Sequence, residues 1–457
     1  MNTSPSAAIV GAGIAGLTAA YRLQQAGWSV TVFESEARAG GRVETLVSHG
    51  YRVDTGATAI AARYPLFTEL ALELGLTIVE TAPFLGVYRG GQIHLLQLDR
   101  LIRSALGTTL LSLPTKLRLF RLVFDIVLAK LSGKLAYDDL RKAAPLDTEN
   151  ARDYMRRIAG EEAHRYLGEP ITRALLLANA DQVSRVELMS GMINAVAGRL
   201  STLAGGQAAF IDALVARIGR VRLSTAVISV RDTGNGVTLR YRDATQAEAS
   251  ADFNACVIAC PPAAAASICP DARLNQLNAK LQFTRAINVA IGTTRPASTP
   301  AFLIQLPADE DPLIAMIIVE NNKASDRVPP GHGLVSVSWE MSASAAWMER
   351  SDAEIVERSL QAVFKLFPEL RGCVDFSYVR RWPLALPHTR RGVYRAIGDF
   401  AASLDAGSRI QYAGDWLSQT GQNTAVAWGN RAAANLLAHQ GRHTSGKPST
   451  DDTTPPR

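Results

Sequence analysis

Three glycines near the start of the chain, Gly11, Gly13 and Gly16, and an acid eighteen residues beyond the last of them, Glu34, have types and spacing that could do chemistry. They stand in A-I-V-G-A-G-I-A-G-L and V-T-V-F-E, separated by a helical pattern. The spacing is that of a strand turning sharply into a helix. Gly11 permits the exit from the strand, Gly13 lets a pyrophosphate approach the backbone, and Gly16 lets the helix lie close to the sheet, with Ala15 in the same turn. The helix N-terminus offers unpaired N–H groups and a positive dipole end to the phosphates. Val30 to Phe33 then forms a second strand that delivers Glu34 to the hydroxyls of a ribose. A carboxylate there disfavours a 2′-phosphate, so NADP is not expected. By itself the stretch says dinucleotide and leaves NAD and FAD open.

Elements must hold these groups in place. A second glycine turn, A-G-G-R at Ala39 to Arg42, follows, and Y-R-V-D-T-G-A-T is a strand running into a turn at Gly56. Pro65 to Gly75 has the leucine spacing of an amphipathic helix with Gly75 as its stop. Gly86 to Leu96 is expected as a hairpin turning at Gly90-Gly91, and Leu98 to Leu200 as almost wholly helical. Within that block Leu117 to Leu131 is strongly apolar, with Arg118, Arg121 and Asp125 recurring on one side. It is too amphipathic to span a bilayer; the expected role is a helix packed on the domain, the alternative a membrane-surface or entrance helix.

Beyond Leu203, A-G-G-Q opens a helix, V-R-L-S-T-A-V-I-S-V is expected as one strand, and an N-G turn makes a hairpin with Val237 to Tyr241. D-F-N-A-C-V-I-A-C-P-P is a buried strand stopped by two prolines. The β-rich runs from Ala286 to Met341 point to an antiparallel sheet, followed by a helix from Asp352 to Phe367 and a last ordered block from Arg381 to His439.

A chain of 457 residues exceeds one ordinary core, and 47% hydrophobic residues can bury a large one. The net charge of +6 is modest for this length. It marks no nucleic-acid patch, although a basic surface favours acidic substrates or anionic lipid. Met1 to Ser6 lacks an apolar stretch and twin arginines, so no secretory signal is read there. The four cysteines lack metal-ligand pairing and fit small buried residues of a reducing cytoplasm. No metal site is expected.

Four blocks in order, G-A-G-I-A-G with Glu34, A-G-G-R-V, the G-G-Q to S-T-A-V-I-S-V region, and Y-A-G-D-W to A-V-A-W-G-N-R-A-A, give the chain its family likeness. It resembles the flavin amine oxidase and protoporphyrinogen oxidase superfamily over most of its length. The resemblance implies an α/β fold, a Rossmann-like FAD-binding domain interleaved with a substrate domain of antiparallel sheet and helices. Residues 1–85, 201–270 and 385–440 would form the first, 86–200 and 271–384 the second, and 441–457 a disordered tail. FAD would be bound without a covalent link. Gly11, Gly13, Ala15, Gly16 and Glu34 would hold its adenosine and pyrophosphate, with Gly40, Gly41 and Arg42 beside the pyrophosphate. Gly56, Ala57 and Thr58 would line the flavin, Val227 would meet adenine through its backbone, and Gly414 with Asp415 would bind ribityl or pyrophosphate groups. Asn423, Thr424 and Ala425 would open the last helix beneath the flavin O2 edge, where polar N-cap chemistry and a helix dipole favour negative charge.

Departures from the amine-oxidase pattern are informative. Asn288, in A-I-N-V-A-I, aligns where amine oxidases carry a lysine beside the flavin, and Gly421 aligns with a tyrosine of their aromatic cage. The R-R-W-P-L-A-L-P-H-T-R-R-G segment resembles protoporphyrinogen oxidases instead. His388 in that segment is a candidate to bind substrate or move a proton, and Asn288 a second candidate catalytic position. The expected function is removal of a hydride from a C–C or C–N bond of a small, largely apolar substrate, with O2 or a redox carrier as acceptor. The alternatives are an atypical amine oxidase, a non-redox flavin isomerase, and a prenyl-binding escort protein on the same scaffold. A cytoplasmic protein is expected, with peripheral membrane contact as an open alternative.

Overall fold

The apolar runs S-A-A-I-V and S-V-T-V-F become neighbouring parallel strands, Ser6–Val10 and Ser29–Phe33, with Ala7 opposite Val30 and Val10 opposite Phe33. In the computed structural model, which describes residues 4–135, 140–196 and 198–445, they form the middle of a five-stranded parallel sheet. Its other strands come from far along the chain: Ala255–Ile258 pairs with Ser6–Val10, Ile410–Tyr412 pairs outside it, and Val221–Arg222 closes the opposite edge. Such strands are covered on both faces, hence their near-continuous apolar sequence. The glycine-loop helix Ile14–Gln25 lies on this sheet, and the last helix, Gln422–Ser445, crosses it so closely that a Cβ at Gly429 would fall 2.5 Å from the Ala15 carbonyl oxygen.

The second large sheet has seven strands in the order Val374–Trp382, Ala286–Thr293, Gly333–Trp339, Ile314–Val319, Ala301–Gln305, Phe84–Arg89, Gln92–Gln97. Every pair is antiparallel except Ala301–Gln305 with Phe84–Arg89. That one parallel contact joins the early hairpin, turning at Gly90-Gly91 as expected, to the late β-rich block. Between Gln97 and Ser201 the described residues are mainly helical: Leu101–Gly107, Leu113–Leu131, Ala151–Ala159, Glu169–Leu176 and Arg185–Val196. The helix Asp352–Leu366 matches its expected span and starts on a capping box of Ser351 and Glu354. The fold is thus α/β with a parallel and an antiparallel sheet.

Four expectations need correction. The stretch read as one strand from Val221 to Val230 breaks at Ser224, which takes φ +48°, so Val221–Arg222 stays in the parallel sheet while Ala226–Asp232 starts a separate three-stranded one. The N-G hairpin has a four-residue loop whose left-handed residue is Gly234, fixed by its N–H donating to Asp232 Oδ1. The last helix begins at Gln422, so Thr424 lies inside its first turn and the preceding position is Gly421, which has no side chain to cap with. That helix also runs on to Ser445, past the expected end of the ordered chain; the remainder of the expected tail, 446–457, lies outside the described residues.

Candidate active site

The glycine turn is shaped by backbone collisions. Gly11 takes φ +104°, and a Cβ there would lie 3.0 Å from the Ala259 carbonyl oxygen, while one on Gly16 would lie 2.0 Å from the Gly11 oxygen. Gly13 is different: a Cβ there meets nothing within 4 Å, and one on Gly41 meets only the Gly13 Cα, at 3.8 Å. The two turns face each other across open space, tied by the Gly40 N–H donating to the Ala12 carbonyl at 2.8 Å. This gap at a helix N-terminus is where a pyrophosphate fits.

Glu34 is buried beside it. Its Oε2 accepts the Ala12 N–H at 2.7 Å and its Oε1 the Glu36 N–H at 3.0 Å, so the carboxylate is braced against the turn. Its backbone carbonyl accepts the Thr225 N–H at 2.7 Å, which brings the start of Ala226–Asp232 alongside. A β-bulge between Val227 and Ser229 interrupts pairing at the position expected to meet adenine.

At the other end Arg42 and Asp415 form one unit. Arg42 donates to Asp415 through both terminal nitrogens, at 2.6 and 3.1 Å, and to the Ala385 carbonyl at 3.1 Å; Thr420 Oγ1 donates to the same carboxylate at 3.0 Å. Gly414 must be small because Trp416 Nε1 would sit 2.3 Å from any Cβ. Gly56 is held against the Arg42 carbonyl, 2.1 Å from a would-be Cβ, and the Ala57 N–H donates to that oxygen. Asn288 Nδ2 and Trp382 Nε1 each donate to the Thr55 carbonyl at 2.8 Å, so the loop carrying Gly56, Ala57 and Thr58 is clamped from the antiparallel sheet.

A cavity of about 710 Å³ lies where the two sheets meet. Gly56, Ala57, Thr58, Gly421, Asn423 and Thr424 line one end. The walls are mostly apolar, with Leu85, Val87, Ile171, Phe302, Met316 and Ile318 among them. Asn288 also lines it, its Oδ1 accepting from Ser338 Oγ at 2.8 Å, so the amide is committed on both sides and offers no base. Ala425 is buried in the first turn of the last helix, its N–H donating to the Gly421 carbonyl. Asn423 Oδ1 accepts the Leu66 and Phe67 N–H groups at 2.9 and 3.2 Å: it caps the helix Pro65–Glu73 from across the fold. His388 is not among the lining residues; its Nε2 bonds the Gln182 carbonyl at 2.8 Å, and burial pulls its pKa below the ordinary value. Its ring ties the Pro387–His388 strand to the turn at Ala180–Gln182.

Glu187, Lys323 and Tyr64 are among the lining residues missed in the sequence. Glu187, an acid inside the apolar helix Arg185–Val196, accepts from Thr389 Oγ1 and Gln419 Nε2 at 3.0 Å each and from the Tyr394 hydroxyl. Burial pushes its carboxyl above the usual carboxylate range against the lowering effect of those donors. Lys323 contacts Asp54 at 2.7 Å and Glu320 at 3.1 Å. Burial alone would raise the Asp54 carboxyl, but Lys323 and Arg327 hold it below its ordinary value. Tyr64 lies beside Gly421, its Oη 2.7 Å from where a Cβ would stand, so an aromatic hydroxyl from a distant segment occupies the space beside that glycine. A lone acid in an apolar helix was a signal; nothing local marked Lys323 or Tyr64.

The family model for flavin containing amine oxidoreductase matches residues 14–437. The chain belongs to this family of FAD-dependent oxidoreductases. It is 27% identical over 300 residues to an L-amino-acid oxidase of Siganus canaliculatus, covering 63% of this chain and 55% of that protein. It is 21% identical over 440 residues to the coproporphyrinogen III oxidase of Bacillus subtilis, covering 87% and 90%. A putrescine oxidase double mutant superposes with a TM-score of 0.77 at 19% identity over 95% of this chain and 99% of that one. The chain spans little more than half the length of the first curated relatives it matches. FAD fits the residues described: an open gap between two glycine turns, a braced carboxylate at the adenosine end, and a clamped loop facing a helix N-terminus at the other.

Proposed function

We propose that the protein is an FAD-dependent oxidase or dehydrogenase that removes a hydride from a C–C or C–N bond of a small, largely apolar substrate. The observation that carries this is the cavity: most of its exposed surface is apolar, from side chains such as Leu85, Val87, Ile171, Phe302 and Met316, interrupted by polar groups that include Glu187, Asn288, Gln305 and Lys323, and it reaches the residues assigned to the flavin. Bound FAD supplies the hydride acceptor. The chain's own residues orient and exclude. The apolar walls keep water from the reacting carbon, and the clamp on Thr55 holds Gly56 to Thr58 in place. The last helix presents its N-terminal end, beginning at Gln422, to developing negative charge. Asn288 and Ser338 give a fixed polar edge at which a substrate heteroatom can register. The acceptor that reoxidises the flavin is O2 or a redox carrier.

Amine oxidation is the second reading, favoured by Glu187, which places a carboxyl on the cavity wall where an ammonium group could pair with it. The test separates them. Purified protein should be yellow and should release FAD on denaturation. Candidate apolar cyclic compounds and a panel of amines are then mixed with it without oxygen and flavin bleaching is followed, with peroxide scored in air. Bleaching by apolar substrates and not by amines supports the first reading, the reverse supports the second, and a folded, colourless protein that does not take up FAD sinks both.

A further inference from the structure

Among the described residues, ten of the sixteen large hydrophobic side chains that are exposed belong to two consecutive helices, Leu101–Gly107 and Leu113–Leu131. On the longer helix only Thr115, Leu122, Ile126 and Ala129 are buried. The opposite side carries Leu117, Phe120, Phe124, Leu128 and Leu131, with Phe120 65%, Phe124 70% and Leu131 80% exposed. At about 100° per residue these side chains form one continuous arc, roughly 21 Å long from the rise of an α-helix. Single exposed apolar residues need no explanation, but a contiguous patch marks a surface that something covers.

The charges name the occupant. Arg121 and Lys130 are exposed and fall on the two opposite edges of the arc. The helix's one acid, Asp125, is turned inward and accepts the Tyr154 hydroxyl at 2.7 Å. On the shorter helix Arg103 is exposed beside Ile102, which is 72% exposed. An apolar stripe with basic rims and no outward acid matches a bilayer surface with anionic headgroups, the apolar side chains entering the acyl boundary and the guanidinium and ammonium groups meeting phosphate. A second copy of the chain fits less well, because a twofold contact would bring the same basic rims together. No helix among the described residues is long and apolar enough to cross a membrane, so the helix lies in the surface plane.

The patch also adjoins the cavity. Leu98 and Leu101 line the cavity, and Ile102 follows directly. Val87, Leu96, Leu110 and Leu111 form the small core on which Leu101 and Leu119 pack, so the base of the exposed helices and the cavity wall are one cluster. We propose that the outward face of Leu101–Gly107 and Leu113–Leu131 docks the protein on anionic lipid bilayers, with the cavity opening beside the membrane. Docking stands apart from the chemistry under Proposed function; only delivery of an apolar substrate from the bilayer rests on it.

The experiment is co-sedimentation of the full-length protein, with its flavin, with vesicles of phosphatidylcholine alone and of phosphatidylcholine mixed with phosphatidylglycerol. Wild type is expected to pellet with the mixed vesicles and much less with phosphatidylcholine alone. Phe120→Gln/Phe124→Gln/Leu128→Gln should bind at least about tenfold more weakly, since each lost buried methylene removes a sizeable fraction of membrane affinity. Arg121→Glu/Lys130→Glu should lose the preference for phosphatidylglycerol. Flavin content should be unchanged in both, because the positions are exposed. Wild type that stays in the supernatant with both vesicles overturns the proposal. So does a wild-type dimer in sedimentation velocity that the triple glutamine variant converts to monomer without any change in vesicle binding.

Discussion

At the residue scale, Gly13 and Glu187 are the two positions where a single side chain decides most. A Cβ at Gly13 meets no atom of the chain, so Gly13→Val should leave the fold intact and fail only where a pyrophosphate must lie. The expected result is a protein with wild-type far-ultraviolet dichroism and little bound flavin, read from the ratio of flavin to protein absorbance; a full complement of FAD would show that the turn is misplaced. Glu187 has a folded pKa raised by burial, so the folded state favours its neutral form and loses stability as pH rises from the unfolded pKa through the folded one. Glu187→Gln keeps the shape and removes that ionisation. Its melting temperature should therefore gain on wild type as pH is raised from acid to alkaline conditions, measured by scanning fluorimetry. If Glu187 also meets substrate, the matching limb in kcat/KM against pH should vanish in the variant.

At the element scale, the helix Pro65–Glu73 depends on a cap from elsewhere. Tyr64, at its N-cap position, makes no side-chain cap bond, and the two amides behind it are satisfied by Asn423 from the last helix. Asn423→Ala should cost about 1 kcal/mol, the usual worth of an N-terminal cap, visible as a lowered midpoint in urea unfolding. An unchanged midpoint would mean that water replaces the amide without loss. The glycine turn, the helix Asp352–Leu366 and the hairpin at Gly90-Gly91 were legible locally because caps, periodicity and turn residues sit within a few positions of each other. The break at Ser224 was not legible. Its neighbours have uninterrupted strand propensity, and the left-handed corner arises because Ser224 and Thr225 donate to Glu36 and Glu34, far away in sequence.

At the scale of the whole molecule, the segments Ser6–Phe33, the Arg42 turn, Val221–Asp232 and the block around Asp415 are brought together by the fold, and in the proposed site FAD would bridge them. A ligand held only by the folded state raises stability by about 2.7 kcal/mol at a hundredfold excess over its Kd. Flavin-depleted protein should accordingly melt several degrees below the loaded form and regain the difference when FAD is returned; equal melting temperatures would argue against a cradle spanning these segments.

The chain's own letters were enough to determine a dinucleotide cofactor and the α/β order of elements, because those rest on short-range patterns: glycine spacing, alternation, and an acid at the end of a strand; the family, and FAD with it, came from the resemblance of four motif blocks in order. Only the tertiary structure decided what surrounds the reaction. His388 went to a carbonyl on Gln182 and Asn423 to another helix, while Glu187, Lys323 and Tyr64 arrived at the cavity from helices and turns with no shared motif. A cavity wall is assembled from residues distant in sequence, and no local spacing encodes which of them will meet.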